Sequence, residues 1–523
     1  MIKKIVITLL SIALLLFAIN WYGFSTPTKD INSVSISPSK KPVVFLIIDS
    51  LMDEPMQKAM EEGRAPALTF LSEQGQYVDR VVSSYPTMSV TIDSTLLTGV
   101  YADKHQLPGL VWFNKEENRL ISYGSGKMEI FHGGVKQVLK DSMSNLNQEH
   151  LSKNTATIYE DLDDRQIQSA SINGLVYRGN QKHNLHVPRI ASAFNLLPKD
   201  FTVKGPTLFS MGSLSQYSPD NNKHNRVWQD LGMNDAFTAE EITYLIQNES
   251  LPSFTLGYFP DLDHPVHENG PAEINGIEQI DQHLQTILDA FPTWEDALEN
   301  MTLIVYGDSG QAIIGEDRNE AIIDLPALFE MYQLAELGEL VKTKDQLALA
   351  VNERMAYIHL LDDNLTYMDL VSDLMDDPRI GFIAWKDEEK NYVTAEGSNQ
   401  LFTFQPDGNF TDPYNQTWGM HGDLSILDLS TNDKNEMDYG EYPDALARLH
   451  GALHSHKGRF LIVDAKPGYE FIAEHSPTHV GGGGHGSLHA KDSLTPLLIT
   501  GTDTQPAHKR AVDFKAWLLE LIE

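Results

Sequence analysis

Four short segments of this chain each leave a group with metal or acid–base chemistry just past an apolar run or inside a glycine-rich turn. Asp49 follows Val43-Val44-Phe45-Leu46-Ile47-Ile48. Asp263 and His267 follow Phe254-Thr255-Leu256-Gly257-Tyr258-Phe259. Asp308, with Ser309 beside it, follows Leu303-Ile304-Val305-Tyr306-Gly307. His485 sits within Gly482-Gly483-Gly484-His485-Gly486. Carboxylates and imidazoles are ligands for divalent ions such as zinc or manganese. A hydroxyl run, Thr87-Met88-Ser89-Val90-Thr91, offers a nucleophile, with Ser89 the first candidate and Thr87 or Thr91 the alternatives. Together these groups predict metal-assisted chemistry on an ester.

The elements that must position them follow from pattern. Continuous apolar runs of about six residues read as strands buried on both faces, as in a parallel α/β sheet. The C-terminal ends of such strands meet on one edge, where ligands bind. Helical spacing of Ile274, Ile277, Ile280, Leu284, Ile287, Leu288 and Phe291 predicts an amphipathic helix against the sheet. The stretch 94–99 reads as a helix ended by Gly99, so Ser89 falls near a helix N-terminus that favours an anion. Asp263 and His267 are four apart and share one face of a helical turn, although Pro265 restricts that turn to a helix start or a tight loop. His485 lies among glycines, where backbone approaches an ion closely.

Composition sets the frame. The chain has 523 residues, long enough for a large catalytic domain with an added lobe. It has no cysteine, which excludes disulfides and thiolate metal sites. A formal charge of −34 excludes general nucleic-acid binding, because phosphate backbones would be repelled. At the N-terminus Lys3 and Lys4 precede an apolar run over 5–18 that ends near Trp21 and Tyr22. That pattern predicts a signal anchor or a cleaved signal peptide over 1–24, either of which puts the body outside the cytoplasm. A Ser-, Pro- and Lys-rich linker follows over 25–41. The catalytic α/β domain is expected over 42–310 and again over 474–523, with an inserted α+β lobe over 311–473.

The ordered set of motifs resembles the alkaline phosphatase superfamily, closest to its type I phosphodiesterase/nucleotide pyrophosphatase branch. Ile47-Ile48-Asp49 is similar to that branch's strand ending in a metal-binding Asp. Pro86-Thr87-Met88-Ser89, leading to Thr98-Gly99, resembles its Pro-Thr-x-Thr nucleophile turn. Asp263 to His267, with Gly270-Pro271 after it, resembles its Asp-x-x-x-His segment. Asp308-Ser309-Gly310 stands for its Asp-His-Gly, and His485-Gly486 for its last His-Gly. The resemblance implies a mostly parallel central sheet flanked by helices and a phosphoric ester hydrolase. It implies two divalent metal ions, zinc first and manganese second. Asp263, His267 and His485 would form one site, and Asp49 and Asp308 the other, with Ser89 bridging and forming a covalent phospho-serine. The substrate would be a phosphate ester of a small molecule, lipid or nucleotide, with membrane contact through the N-terminal segment.

Three departures stand out. Ser309 replaces the family's usual metal-binding His, with His421 or His479 as stand-ins. Ile92 falls where an Asn often holds a phosphoryl oxygen, and Asp93 where a His is common. His489, four residues past His485, is a further candidate for the site. Ser309 and Ile92 support an alternative, a non-catalytic surface binding protein on the same fold. A sulfatase reading lacks the Pro and Arg that formylglycine formation needs after Ser89. A headgroup transferase would need more than one membrane span.

Overall fold

The computed structural model describes residues 26–37, 41–187, 197–198, 201–398 and 400–523. The expected targeting segment over 1–24 lies outside these residues, as does part of the linker. Among the described residues no helix is long and apolar enough to cross a membrane.

Seven strands form the central sheet, in the order Gln76–Val82, Leu494–Thr500, Thr302–Gly307, Val43–Ile48, Phe254–Phe259, Ser169–Ile172 and Leu208–Ser210. Neighbours run parallel except at Leu494–Thr500, which is antiparallel to the strands on either side. Every residue of the Val43–Ile48 strand is buried because helices cover both faces. Val44, Leu46 and Ile48 pack with helices Asp53–Glu61, Pro66–Gln74 and Asn275–Leu288. Val43, Phe45 and Ile47 pack with helices Ser89–Thr98, Ile158–Asp164 and Phe514–Ile522. The alternation follows from the two-residue period of a strand.

Register fixes the functional edge. Ile48 lies opposite Gly307 on one side and Phe259 on the other. Asp49 and Asp308 are the next residues out, so both leave the sheet at one level. The Asp49 N–H donates to the Phe259 carbonyl at 3.0 Å, which pins that exit.

A second seven-stranded sheet is wholly antiparallel, in the order Leu347–Asn352, Met355–Leu360, Arg459–Ala465, Ile380–Asp387, Lys390–Thr394, Phe402–Thr411 and Thr417–His421. Helix Tyr367–Leu374 packs on one face and helix Ala445–Leu453 on the other. The latter face shares its core with Tyr85, Val111 and Phe113, which come from the segments flanking the Ser89 helix. At the base of this excursion Ala312–Ile313 pairs with Gly483–Gly484, and Ile322–Asp324 with Glu470–Ile472. The loop carrying His485 is thus tied to the segment after Asp308.

Candidate active site

Helix Ser89–Thr98 begins at Ser89 itself, with Gly99 ending it in the left-handed conformation. The Ser89 hydroxyl faces a large cavity and lies 3.3 and 3.4 Å from the two oxygens of Asp49. Thr87 and Thr91 are fully buried and their hydroxyls are engaged elsewhere. Thr87 Oγ1 accepts from the Gly486 N–H at 2.7 Å, and Thr91 Oγ1 donates to the Leu107 carbonyl at 3.2 Å. Ser89 is therefore the hydroxyl of this turn that meets both the cavity and a carboxylate.

Asp263 opens helix Asp263–Asn269, with His267 one turn further on. The two side chains meet at 3.1 Å, Asp263 Oδ1 to His267 Nε2. His485 Nε2 lies 3.8 Å from the same oxygen. Each imidazole is aimed by its other nitrogen. His267 Nδ1 donates to the Gly483 carbonyl at 2.8 Å, and His485 Nδ1 to the Thr87 carbonyl. Both Nε2 atoms are left facing Asp263, the orientation that a metal ligand needs. Ser50 Oγ and Gln311 Nε2 each donate to Asp263 Oδ1 at 2.8 Å and fix the carboxylate in turn.

A fourth donor was not among the residues read from sequence. Glu353 Oε1 lies 3.7 Å from Nε2 of both His267 and His485. Its other oxygen accepts the His485 N–H at 2.9 Å. Glu353 sits at the turn between strands Leu347–Asn352 and Met355–Leu360, with φ of 57°. The second sheet thereby reaches into the site of the first. Hairpin register gave no sequence signal for this, since Glu353 lies 86 residues after His267 and 132 before His485.

The charges agree with a cation site. Burial raises a carboxyl pKa, yet Asp263 is held well below the usual range by the charges of His267 and His485 and by its hydrogen bonds. Burial likewise opposes charge on His267, but Asp263 and Glu353 outweigh it and raise its pKa well above the ordinary value. The carboxylates that draw a proton toward His267 Nε2 would equally draw a divalent ion.

Asp49 and Asp308 are fully or almost fully buried. Asp308 Oδ1 accepts the Ser50 N–H at 3.0 Å, while its Oδ2 has no partner. The Tyr258 hydroxyl donates to Asp49 Oδ2. Asp93 is one helical turn beyond Ser89 on the same face, fully buried, with neither oxygen partnered. Burial pushes the pKa of all three carboxyls up, and mutual repulsion adds to it. Buried carboxylate oxygens without donors are expensive unless a cation meets them.

Both donor sets fit metal ions. Among the described residues the groups converging within 4.8 Å are Asp263–His267–His485 and His267–Glu353–His479. Mixed imidazole and carboxylate ligands suit zinc. The Asp49–Asp308 side offers oxygen alone, which suits a harder ion such as manganese. Ser309 is buried with its Oγ 3.4 Å from Ser50 Oγ. His479 stacks on His267 with ring centroids 4.1 Å apart, on the first set's side. His421 is exposed at the end of the outer strand Thr417–His421. His489 caps a short helix and faces Glu441 at 3.4 Å. Ile92 is buried in the core against the sheet and does not line the cavity.

Two glycines explain the closeness of the His485 loop. A Cβ at Gly482 would collide with the His267 carbonyl, and one at Gly486 with the Asn352 carbonyl. Gly486 also has φ of 106°, which L side chains rarely adopt.

A mostly parallel sheet whose C-terminal edge gathers carboxylates, imidazoles and one nucleophilic hydroxyl is the plan of the alkaline phosphatase superfamily, and the chain is a phosphoric ester hydrolase of that class. More narrowly, it belongs to the type I phosphodiesterase/nucleotide pyrophosphatase family, whose model matches residues 43–488. The fold is similar to that of murine ectonucleotide pyrophosphatase/phosphodiesterase 5, at TM-score 0.53 and 13% identity, over 92% of this chain and 95% of the other. The same murine protein is also known in an inactive form in complex with AMP, with the same scores and coverage. The human protein of that name gives TM-score 0.54 at 15% identity, with the same coverage. No curated protein matches by sequence.

Proposed function

We propose that the protein is a metal-dependent phosphodiesterase acting outside the cytoplasm, with Ser89 as its nucleophile. The observation that carries this reading is the Ser89 hydroxyl at a helix N-terminus, 3.3 Å from Asp49, in the same cavity as Asp263, His267, His485 and Glu353. Asp263, His267, His485 and Glu353 would hold one ion, zinc by donor type. Asp49 and Asp308, with Asp93 behind them, would hold the other. When bound, such ions supply Lewis acidity to phosphoryl oxygens and lower the pKa of a neighbouring hydroxyl.

The chain's own groups account for the rest. The helix dipole and first-turn N–H groups favour the anionic phosphoryl group beside Ser89. Ser89 Oγ forms a bond to phosphorus as the bond to the leaving oxygen breaks in line, and Asp49 is the nearest acceptor for the Ser89 proton. Water then displaces Ser89 from phosphorus and frees the enzyme. Lys3, Lys4 and the apolar run after them support export or anchoring.

Hydrolysis of bis(p-nitrophenyl) phosphate tests the assignment. Ser89→Ala is expected to lower kcat by about a thousandfold or more, the scale of losing an activated nucleophile. Undiminished turnover in that variant overturns it. Dialysis against a chelator should abolish turnover and zinc or manganese should restore it. Protease added to intact cells should digest the body if it lies outside.

A further inference from the structure

The set of Asp263, His267 and His485 has a near-duplicate beside it. That inner set is one carboxylate and two imidazoles. A second set of the same composition, His267, Glu353 and His479, also brings its donor atoms within 4.8 Å of one another. His479 is held as a metal ligand is held. Its backbone N–H donates to Glu470 Oε1 at 2.6 Å and its Nδ1 to Glu470 Oε2 at 2.9 Å. Glu470 is fully buried on strand Glu470–Ile472, and an ionised carboxylate can only accept. A carboxylate behind one ring nitrogen orients an imidazole whose other nitrogen takes a metal. Among the described residues His479 Nε2 has no hydrogen-bond partner, and the side chain lines the Ser89 cavity.

The backbone that aims His479 also holds Glu353. Phe471, next to Glu470, donates its N–H to the Glu353 carbonyl at 2.8 Å, so one contact fixes both carboxylates relative to each other. Glu353 Oε1 lies 3.7 Å from Nε2 of His267 and of His485, and Oε2 lies 3.9 Å from His479 Nδ1. The carboxylate therefore stands between the two sets. The His267 and His479 rings stack with centroids 4.1 Å apart, 24° from parallel. His267 Nδ1 is spent on the Gly483 carbonyl, so Nε2 alone is left for a cation. One imidazole nitrogen serves one ion, which makes the two sets alternative seats for the same ion.

We propose that His267, Glu353 and His479 form a second seat for a divalent cation, zinc by donor type, which keeps the ion on the chain when the inner seat is incomplete. The proposal rests on the metal-dependent reading of this site. His267 and Glu353 serve both seats, and the change trades Asp263 and His485 for His479. His479 and His485 bracket the glycine run 481–484, so one loop carries the imidazole that distinguishes each seat.

The test is a double-mutant cycle on zinc affinity, read by competition with a chelating dye at less than one zinc per chain. Asparagine carries an amide donor near the position of Nδ1 and nothing at Nε2. His485→Asn and His479→Asn therefore each delete one seat's own imidazole donor while keeping a donor toward Thr87 and Glu470. His485→Asn should weaken zinc binding by about 10- to 100-fold without abolishing it. His479→Asn alone should cost less than about twofold, the spread of independent sites, because the inner seat is intact. Added to His485→Asn, it should cost about a further tenfold. An equal cost of His479→Asn in both backgrounds, whether none or tenfold, overturns the second seat. So does complete loss of zinc in His485→Asn alone. His479→Phe, which keeps a ring on His267, repeats the cycle, and urea midpoints check that each variant folds. Wild-type protein that binds no zinc would sink the seat and the metal-dependent reading together. The expected coupling, beside undiminished ester hydrolysis in Ser89→Ala, would keep the seat and sink the nucleophile.

Discussion

His267 and His485 come from segments 218 positions apart, yet both spend Nδ1 on a backbone carbonyl and turn Nε2 toward Asp263. Glu353 completes this arrangement from a third segment. Because its Oε2 also accepts the His485 N–H, it both aims an imidazole and adds an oxygen donor. Glu353→Gln keeps the shape and removes the charge. Zinc affinity, read by competition with a chelating dye, should fall about 10- to 100-fold, the scale seen when partners of metal ligands are lost. Asp93 poses the opposite case, a buried carboxylate whose oxygens have no donor. Asp93→Asn should stabilise the chelator-treated protein at a pH where the carboxyl ionises, since a buried polar group without a partner costs about 1–3 kcal/mol and more when charged. Metal loading should erase that gain if Asp93 serves the ion. A melting temperature that stays put in both states would mean the carboxylate serves neither purpose.

Elements explain why some of this was readable from sequence and some was not. Strand ends were legible because a buried parallel strand is a short continuous apolar run, and Ile48, Phe259 and Gly307 close three of them. The residue after such a run must emerge at the sheet edge, so Asp49 and Asp308 were predictable from local pattern. Asp263 to His267 was legible through helical spacing. Glu353 was not, because its place depends on how the second sheet packs against the first. The cavity was illegible for the same reason, its lining being drawn from separate stretches between Asp49 and His485. Gly486 links the two levels. Its left-handed backbone and the Asn352 carbonyl beside it leave no room for a methyl group. Gly486→Ala should therefore destabilise the fold by about 1–3 kcal/mol, seen in urea unfolding, and weaken zinc binding through the displaced His485.

The whole molecule carries a formal charge of −34, and its functional edge concentrates part of that charge in buried Asp49, Asp93 and Asp308. Burial holds each of these carboxyls above the usual value of 3.8. A carboxyl whose folded pKa exceeds its unfolded one binds its proton more tightly when folded. Its stabilising contribution is complete below the unfolded pKa and is lost as pH rises through the folded one. The chelator-treated protein should therefore lose stability as pH climbs from the acid side through the raised pKa values, with surface repulsion adding to the trend. A divalent ion replaces those protons and binds the folded state alone, so it stabilises with the logarithm of its concentration over its dissociation constant. Urea midpoints taken across this pH range, with and without zinc or manganese, separate the two effects. Surface repulsion persists in both series, whereas the slope due to the buried carboxyls should vanish only when metal is present. Parallel slopes in the two series would show that these carboxyls do not face an ion, and would leave the Asp49–Asp308 edge without its proposed second metal.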